Sequence, residues 1–258
     1  MSDNHHYDEQ AAQQIKAVYQ AEAVVARRQK TLDMLALKAG ESVLDIGYGP
    51  GYFALDITER VGDTGNVSGV DNSESIQAIA EATCAGKENV TLKLGDAAAL
   101  PFGDDEFDAA IAVQVYAYVA DIQRALGELH RTLRPGGRAV IADLDWDSLV
   151  WHTNDPERMT KFKTHFCDHF PQPFLPRFMR PLLREAGFKL NELDTVVMLN
   201  TSLDPYISGL SKIFAQFIGN TGIPAEEIAA WEADMAQIAK DDAYFFSATQ
   251  YLFLIEKP

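Results

Sequence analysis

The chain is poor in cysteine and in positive charge, and it has no long apolar run. Only Cys84 and Cys167 occur, far apart and outside any CxxC or His-rich pattern. That excludes a disulfide scaffold and a clustered zinc site, and it reads as free thiols in a reducing compartment. No stretch of 18 apolar residues exists, so no transmembrane helix is expected. The first ten residues, MSDNHHYDEQ, lack the apolar core of a signal peptide. A soluble, cytoplasmic protein that does not engage membranes is the expectation. Lys and Arg number 22 against 38 Asp and Glu, a formal net charge of -16. Such a surface repels nucleic-acid backbones, so nucleic-acid binding is disfavoured; the charge is compatible with neutral or cationic small-molecule substrates and equally with solubility alone, so it decides little about substrate. Nothing in the composition sets the oligomeric state.

What is present is a globular composition, 258 residues at 47% hydrophobic. At this length roughly 70–75% of the unfolded surface can be buried without covalent staples. Residues 8–37 carry helical spacing of Ile15, Val18, Tyr19, Val24, Val25, Leu32 and Leu35, which fits two amphipathic helices stopped by Gly40. Strand and helix patterns then alternate. Strands are expected at 42–46, 66–71, 90–96, 107–115 and 138–144, with helices at 53–61, 74–85 and 121–133 between them. The turn RPGG (134–137) precedes the fifth strand. This predicts an α/β fold with a Rossmann-like, doubly wound parallel sheet. Further helices are expected at 157–170, 178–188, 206–219 and 224–240, and strands at 195–200 and 249–257. No linker is visible, so 1–258 reads as one domain. Within it, 1–38 form a helical cover, 39–145 a cofactor-binding core and 146–258 the substrate side. The extra pieces, 144–176 and 201–246, exceed what crossovers need and are expected to form a lid or pocket.

Chemistry concentrates around VLDIGYGPGYFALDI (43–57), a buried strand running into Gly47, Gly49 and Gly51. The dinucleotide fingerprint GxGxxG needs a glycine where this chain has Tyr52. A P-loop needs GK[ST], which does not follow. Asp45 sits two residues before the first glycine, where a carboxylate repels pyrophosphate and attracts an ammonium group. The second strand ends in Asp71, 24 residues beyond Gly47, suited to two ribose hydroxyls. The third ends in Gly95-Asp96-Ala97. Asp96 can accept from an exocyclic amine, and the Ala97 N–H can meet a ring nitrogen. Three acids at three strand ends suit a ligand with an amino group, a ribose and an adenine. S-adenosylmethionine fits this set and a dinucleotide fits it poorly.

The stretches VLDIGYGPG (43–51), VSGVDNSESIQAIA (67–80), LGDAAALPFGDDEFDAAIAVQV (94–115) and LHRTLRPGGRAVIAD (129–143) together resemble the class I S-adenosylmethionine-dependent methyltransferases of the small-molecule "type 11" group. The likeness is strong over roughly 30–145 and weak elsewhere. It implies a seven-stranded sheet in the order 3-2-1-4-5-7-6, with strand 7 antiparallel. It implies that Gly47–Gly51 receive the methionine part and that Asp45 contacts its amino acid group directly or through water. Asp71 would bind the ribose, Asn72 and Ile76 flank the adenine, and Asp96 and Ala97 read its edge. Gln114 would lie beside the methionine part. One departure is Tyr48, where the family often has cysteine; it would add bulk or a hydroxyl near the sulfonium. In related enzymes the N-terminal helices cover the cofactor, so Tyr19 would pack over it and Arg28 pair with its carboxylate.

Methyl transfer needs mainly proximity and alignment, and a base only where the acceptor carries a proton that must leave. His152 and Tyr116 are the candidate catalytic residues, and Trp146 and Trp151 candidates for the substrate pocket. Asp143, Asp145 and Asp147 raise a magnesium site, but a solvated acidic turn is the preferred reading and no metal is expected. His165 and His169 share a helix face without a further ligand, and read as exposed. The resulting expectation is transfer of a methyl group to N, O, S or activated C of a small molecule. The alternatives are a nicotinamide-dependent oxidoreductase and a non-catalytic cofactor-binding protein.

Overall fold

A computed structural model describes residues 18–258. The first half alternates as the sequence predicts. Its elements are α1 (Glu22–Leu35), β1 (Ser42–Ile46), α2 (Tyr52–Val61), β2 (Asn66–Asp71), α3 (Glu74–Thr83), β3 (Val90–Leu94), β4 (Phe107–Val113), α4 (Ile122–Thr132) and β5 (Leu133–Leu144). Then follow β6 (Val150–Trp151), α5 (Pro156–Cys167), α6 (Leu175–Glu185), β7 (Lys189–Asn200), α7 (Pro205–Asn220), α8 (Ala225–Lys240) and β8 (Phe246–Glu256).

The sheet runs β3-β2-β1-β4-β5-β8, and β7 pairs along the other edge of β8. The strands β1 to β5 are mutually parallel, while β8 is antiparallel to both β5 and β7. The expected order 3-2-1-4-5-7-6 is therefore present. One strand was not expected: β6 adds two residues beside Ser247 and Phe246, continuing the β5 side of β8.

The parallel centre is apolar on both faces, as helices above and below require. On β4, Ala110 and Ala112 face a core shared with α4 and α6, while Ala109 and Ile111 face one shared with α1 and α2. On β5, Ile141 and Val140 divide in the same way. A third core lies over one end of the sheet, against Leu144 of β5, Met198 of β7 and Phe246 and Ala248 of β8. There α5, α7 and α8 enclose Trp151, Phe162, Phe166, Phe214 and Trp231. The two extra pieces of sequence thus pack on each other as one cap. The steps Asp155-Pro156 and Asp204-Pro205 start two of its helices: each Asp side chain accepts an N–H of the first turn, and each Pro fits where no N–H is needed.

Several boundaries differ from expectation. Helix α1 stops at Ala36, which takes a left-handed φ of 51°, rather than at Gly40. Ile15 and most of the first expected helix lie outside the described residues. RPGG does not precede β5 but bulges from it, because Phe107 pairs Leu133 while Ala109 pairs Arg138. Helix α6 begins at Leu175, so Pro176 sits in its first turn and Pro181 in its interior.

Candidate cofactor and acceptor site

The carboxyl ends of β1, β2, β3 and β4 converge on one edge of the sheet. The glycine loop is fixed there by Gly47 N–H donating to Val70 O at 2.7 Å and Gly51 N–H to Tyr48 O at 3.0 Å. Gly47 has a φ of 71°, and a Cβ there would run into the Val115 side chain. Gly49, with a φ of 51°, differs: a Cβ there would meet nothing nearer than the Tyr19 hydroxyl at 3.9 Å. Its missing side chain leaves open space above the backbone, as a closely seated ligand requires.

Asp71 ties this loop to β2. One carboxylate oxygen accepts from Gly49 N–H at 3.0 Å and the other from Ser73 N–H at 3.0 Å. Each oxygen keeps capacity for a further donor. Asp45 is buried at the end of β1. It accepts from the Ala54 N–H in the first turn of α2, while its Oδ2 has no partner among the described residues. Burial first, and the charge of Asp71 second, push its pKa up to about 7. Such a carboxyl gains most from a cationic partner. Asn72 and Asp96 are exposed at the ends of β2 and β3, and Ile76 and Ala97 are half-buried beside them. Asp96 Oδ1 accepts from Ala98 N–H at 2.8 Å. Gln114 takes a φ of 56°, uncommon for a residue with a side chain, where β4 ends. Its N–H donates to Ala142 O at 2.7 Å, so the chain leaves β4 in a bend stabilised by β5.

Tyr19 roofs this edge. Its ring stacks on Tyr52 with centroids 5.5 Å apart, and burial raises its phenol pKa. Arg28 donates from Nε to Asp56 at 2.6 Å and from Nη1 to the Tyr19 carbonyl at 3.1 Å.

Comparison with known proteins points the same way. A family model described as "Methyltransferase domain" matches residues 43–137. The chain is 32% identical to O-methyltransferase resE of Aspergillus sclerotiorum, over 79% of this chain and 75% of that protein. The chain belongs to the class I S-adenosylmethionine-dependent methyltransferases. An uncharacterized 37.1 kDa protein of transposon TN4556 from Streptomyces fradiae is 30% identical over 87% of this chain and 65% of its own length. Some curated relatives are matched over about half their length, 51%. The solved structure of a putative methyltransferase from Bacillus halodurans shares the fold, with a TM-score of 0.63 at 22% identity, covering 90% of this chain and 99% of that one.

The residues present suit the cofactor of this methyltransferase class. The unpaired Asp45 oxygen, the space over Gly49 and the Asp71 carboxylate match an ammonium, a close backbone approach and a ribose. Two residues have partners of their own. Arg28 gives Nε to Asp56 and Nη1 to the Tyr19 carbonyl, which ties the roof to α2. Tyr48 is buried and its ring lies against β2, where a Cβ on Gly69 would come within 2.8 Å of it. Its backbone belongs to the loop, but its hydroxyl does not stand in the open space.

The candidates of the second half are dispersed. His152 is exposed beyond β6, its N–H donating to Phe245 O at 2.9 Å. It lines a surface depression of about 530 Å³ with Leu149, Pro156, Met159 and Phe245, none of them from the glycine loop. Trp151 is cap core, with Nε1 donating to Tyr244 Oη at 2.7 Å. Trp146 stacks on Phe170 at 4.8 Å and meets Phe166 edge-on. These tryptophans fill the cap instead of lining an open pocket. His165 and His169 are engaged by Thr221 and the Phe217 ring.

The acidic run beyond β5 is not a solvated turn. Asp143 and Asp145 are buried. Asp145 takes two bonds from Arg177, at 2.6 and 3.0 Å. Asp143 accepts from the N–H groups of Tyr116 and Ala117, and burial pushes its pKa up to about 8. Its Oδ2 and the buried Tyr116 hydroxyl lack partners among the described residues. Sequence reasoning missed Gln250, which no motif marks; it lies fully buried in β8.

Proposed function

We propose that this protein transfers a methyl group from S-adenosylmethionine to a hydroxyl on a small, largely apolar molecule. The observation that carries the reading is the carboxylate-edged glycine loop, with open space at Gly49 beneath Tyr19. The cofactor, when bound, supplies an electrophilic methyl group on a sulfonium. Gly47, Gly49 and Gly51 admit its methionine part at the backbone. Asp45 holds the amino group, Asp71 the ribose, Asn72 and Ile76 the adenine faces, and Asp96 with Ala97 the adenine edge. Gln114 borders the methionine part at its strained bend. Tyr19, held by Arg28, excludes water from above. Asp45 also opposes a pyrophosphate, which disfavours the nicotinamide alternative.

The hydroxyl acceptor is supported by the name of the Aspergillus relative, an O-methyltransferase, and by the apolar cap. The chain works as a single unit: 39–145 hold the cofactor, and 146–258, with the helices of 201–246, form the acceptor side. Among the described residues no helix is long and apolar enough to cross a membrane. We place the protein in the cytoplasm, in keeping with the unpaired thiols of Cys84 and Cys167.

Titration calorimetry tests the cofactor, with S-adenosylhomocysteine expected to bind and NAD not. Methyl-labelled cofactor incubated with cell extract should label an oxygen-bearing metabolite. Tight NAD binding without S-adenosylhomocysteine binding would overturn the reading.

A further inference from the structure

Two tyrosines follow β4, and the structure treats them differently. Tyr116 is 0% exposed and its hydroxyl is shut in. Tyr118 is 49% exposed. Burial around its hydroxyl, and then the charges of Asp143 and Tyr19, push its pKa up to about 12. Solvent thus reaches the residue, while its hydroxyl is the sheltered and protonated end. A side chain that lines a concave site behaves in this way.

Backbone geometry puts Tyr118 at the cofactor edge. The Val115 side chain lies against Gly47, where an added Cβ would run into it. Tyr118 N–H donates to Val115 O at 3.0 Å, closing a single turn. The ends of such a turn stand within about 7 Å of each other. Tyr118 therefore starts one turn away from the glycine loop. The turn is braced from two directions. Asp143 accepts the N–H groups of Tyr116 and Ala117, and Gln172 N–H donates to Ala117 O at 3.0 Å. The Tyr118 ring packs on Phe170 with centroids 5.0 Å apart and meets the His169 ring edge-on at 6.0 Å. His169 in turn stacks on Phe217 of α7. The roof approaches from the other side. The Tyr19 hydroxyl overhangs Gly49, and Val18 stands 3.5 Å from where a Cβ on Gly209 of α7 would lie. The Tyr118 hydroxyl thus lies where the glycine loop, the roof and the cap come together.

We propose that Tyr118 is a specificity-determining residue for the acceptor, its hydroxyl donating a hydrogen bond to the acceptor's oxygen beside the glycine loop. The phenol keeps its proton across the physiological range, so it serves as a donor and not as a base. A hydroxyl oxygen has two lone pairs, so one can accept from Tyr118 while the other faces the methyl group. The rings of Phe170 and His169 fix the direction of Tyr118 and offer apolar area to an aromatic acceptor. The inference rests on the methyl-transfer reading and names a residue that selects the acceptor at that same site.

The test uses the full-length protein and two probes of nearly equal shape, 2-naphthol and 2-methylnaphthalene. Calorimetry with saturating S-adenosylhomocysteine measures both probes on the wild type and on Tyr118→Phe. The wild type should prefer 2-naphthol by about ten-fold, the worth of one good hydrogen bond. Tyr118→Phe should lose that preference and keep its affinity for 2-methylnaphthalene and for S-adenosylhomocysteine. Its Tm should stay within about 2 °C of wild type, because a half-exposed hydroxyl carries little stability. With 3-fluorotyrosine incorporated, the fluorine NMR signal that is missing from Tyr118→Phe should shift when 2-naphthol is added to the wild type. An unmoved signal, no binding or equal binding of the two probes by the wild type, or an unchanged preference in Tyr118→Phe overturns the inference alone. Failure of the wild type to bind S-adenosylhomocysteine removes the methyl-transfer reading and this inference with it.

Discussion

The two halves of the molecule use their distinctive residues in opposite ways. In 39–145 the notable side chains are acids at strand ends, and Asp71 and Asp96 remain half-buried or exposed at the sheet edge. In 146–258 the notable side chains are aromatics, and most of them disappear into the cap core. The difference is physical. A strand end delivers its side chain to the carboxyl edge of an α/β sheet whatever surrounds it, so position in sequence is position in the site. An aromatic side chain goes wherever apolar area can be hidden, and three helices packed over the ends of β5, β7 and β8 hide theirs against each other and against those strands.

The sharpest way to break this contrast is Trp151→Ala. It should cost about 3–5 kcal/mol of stability, as large core truncations do, and it strands the Tyr244 hydroxyl. Measured on the folded fraction at low temperature, affinity for S-adenosylhomocysteine should stay within about two-fold of wild type, a difference under 0.5 kcal/mol. A large loss of cofactor affinity would show that the cap and the cofactor edge are one cooperative site. Asp71→Ala should do the reverse. Calorimetry should show weaker S-adenosylhomocysteine binding by about 1.5–3 kcal/mol, with only a modest fall in Tm from the lost loop bonds.

A third variant probes the boundary between the halves. The folded-state pKa of Asp143 is raised to about 8 from an ordinary 3.8. Between those values the native state holds a proton that the unfolded chain has released, so stability falls as pH rises through this window. Asp45, raised to about 7, acts in the same direction. Asp143→Asn should flatten the Tm profile and gain roughly 1–3 kcal/mol relative to wild type by pH 8, where the wild-type carboxyl is half ionised. A steeper profile in the variant would contradict the buried, neutral acid. The smallest effect is expected from His152→Ala. The side chain is exposed and remote from the glycine loop, so kcat, KM and Tm should all be nearly unchanged. A hundred-fold drop in kcat would return His152 to the site.

Much of the first half was legible because short-range rules sufficed. Alternating apolar runs defined the parallel strands, and Gly47, Gly49 and Gly51 marked the loop. Other features had no local signal. Arg28 looked like an available cation until Asp56, 28 residues on, was found bonded to it. Asp143, Asp145 and Asp147 read as a polar turn, yet two of them are buried by α6 and by the turn after β4. Trp146 and Trp151 looked suited to a pocket, but Phe170 and Tyr244 claim them. Gln250 was invisible, since one glutamine in an apolar strand has no meaning until its neighbours are known.

By itself the sequence determined the doubly wound sheet, the glycine loop at its carboxyl edge and the acids at the neighbouring strand ends. Periodicity and strand-end position are properties of the backbone, and they survive in one dimension. Only the tertiary structure decided which polar groups are paired and which are left waiting. Pairing depends on side chains brought together from distant positions, such as β8 lying between β5 and β7. That arrangement buries Gln250 between Leu144 and Val196, where no group among the described residues answers it.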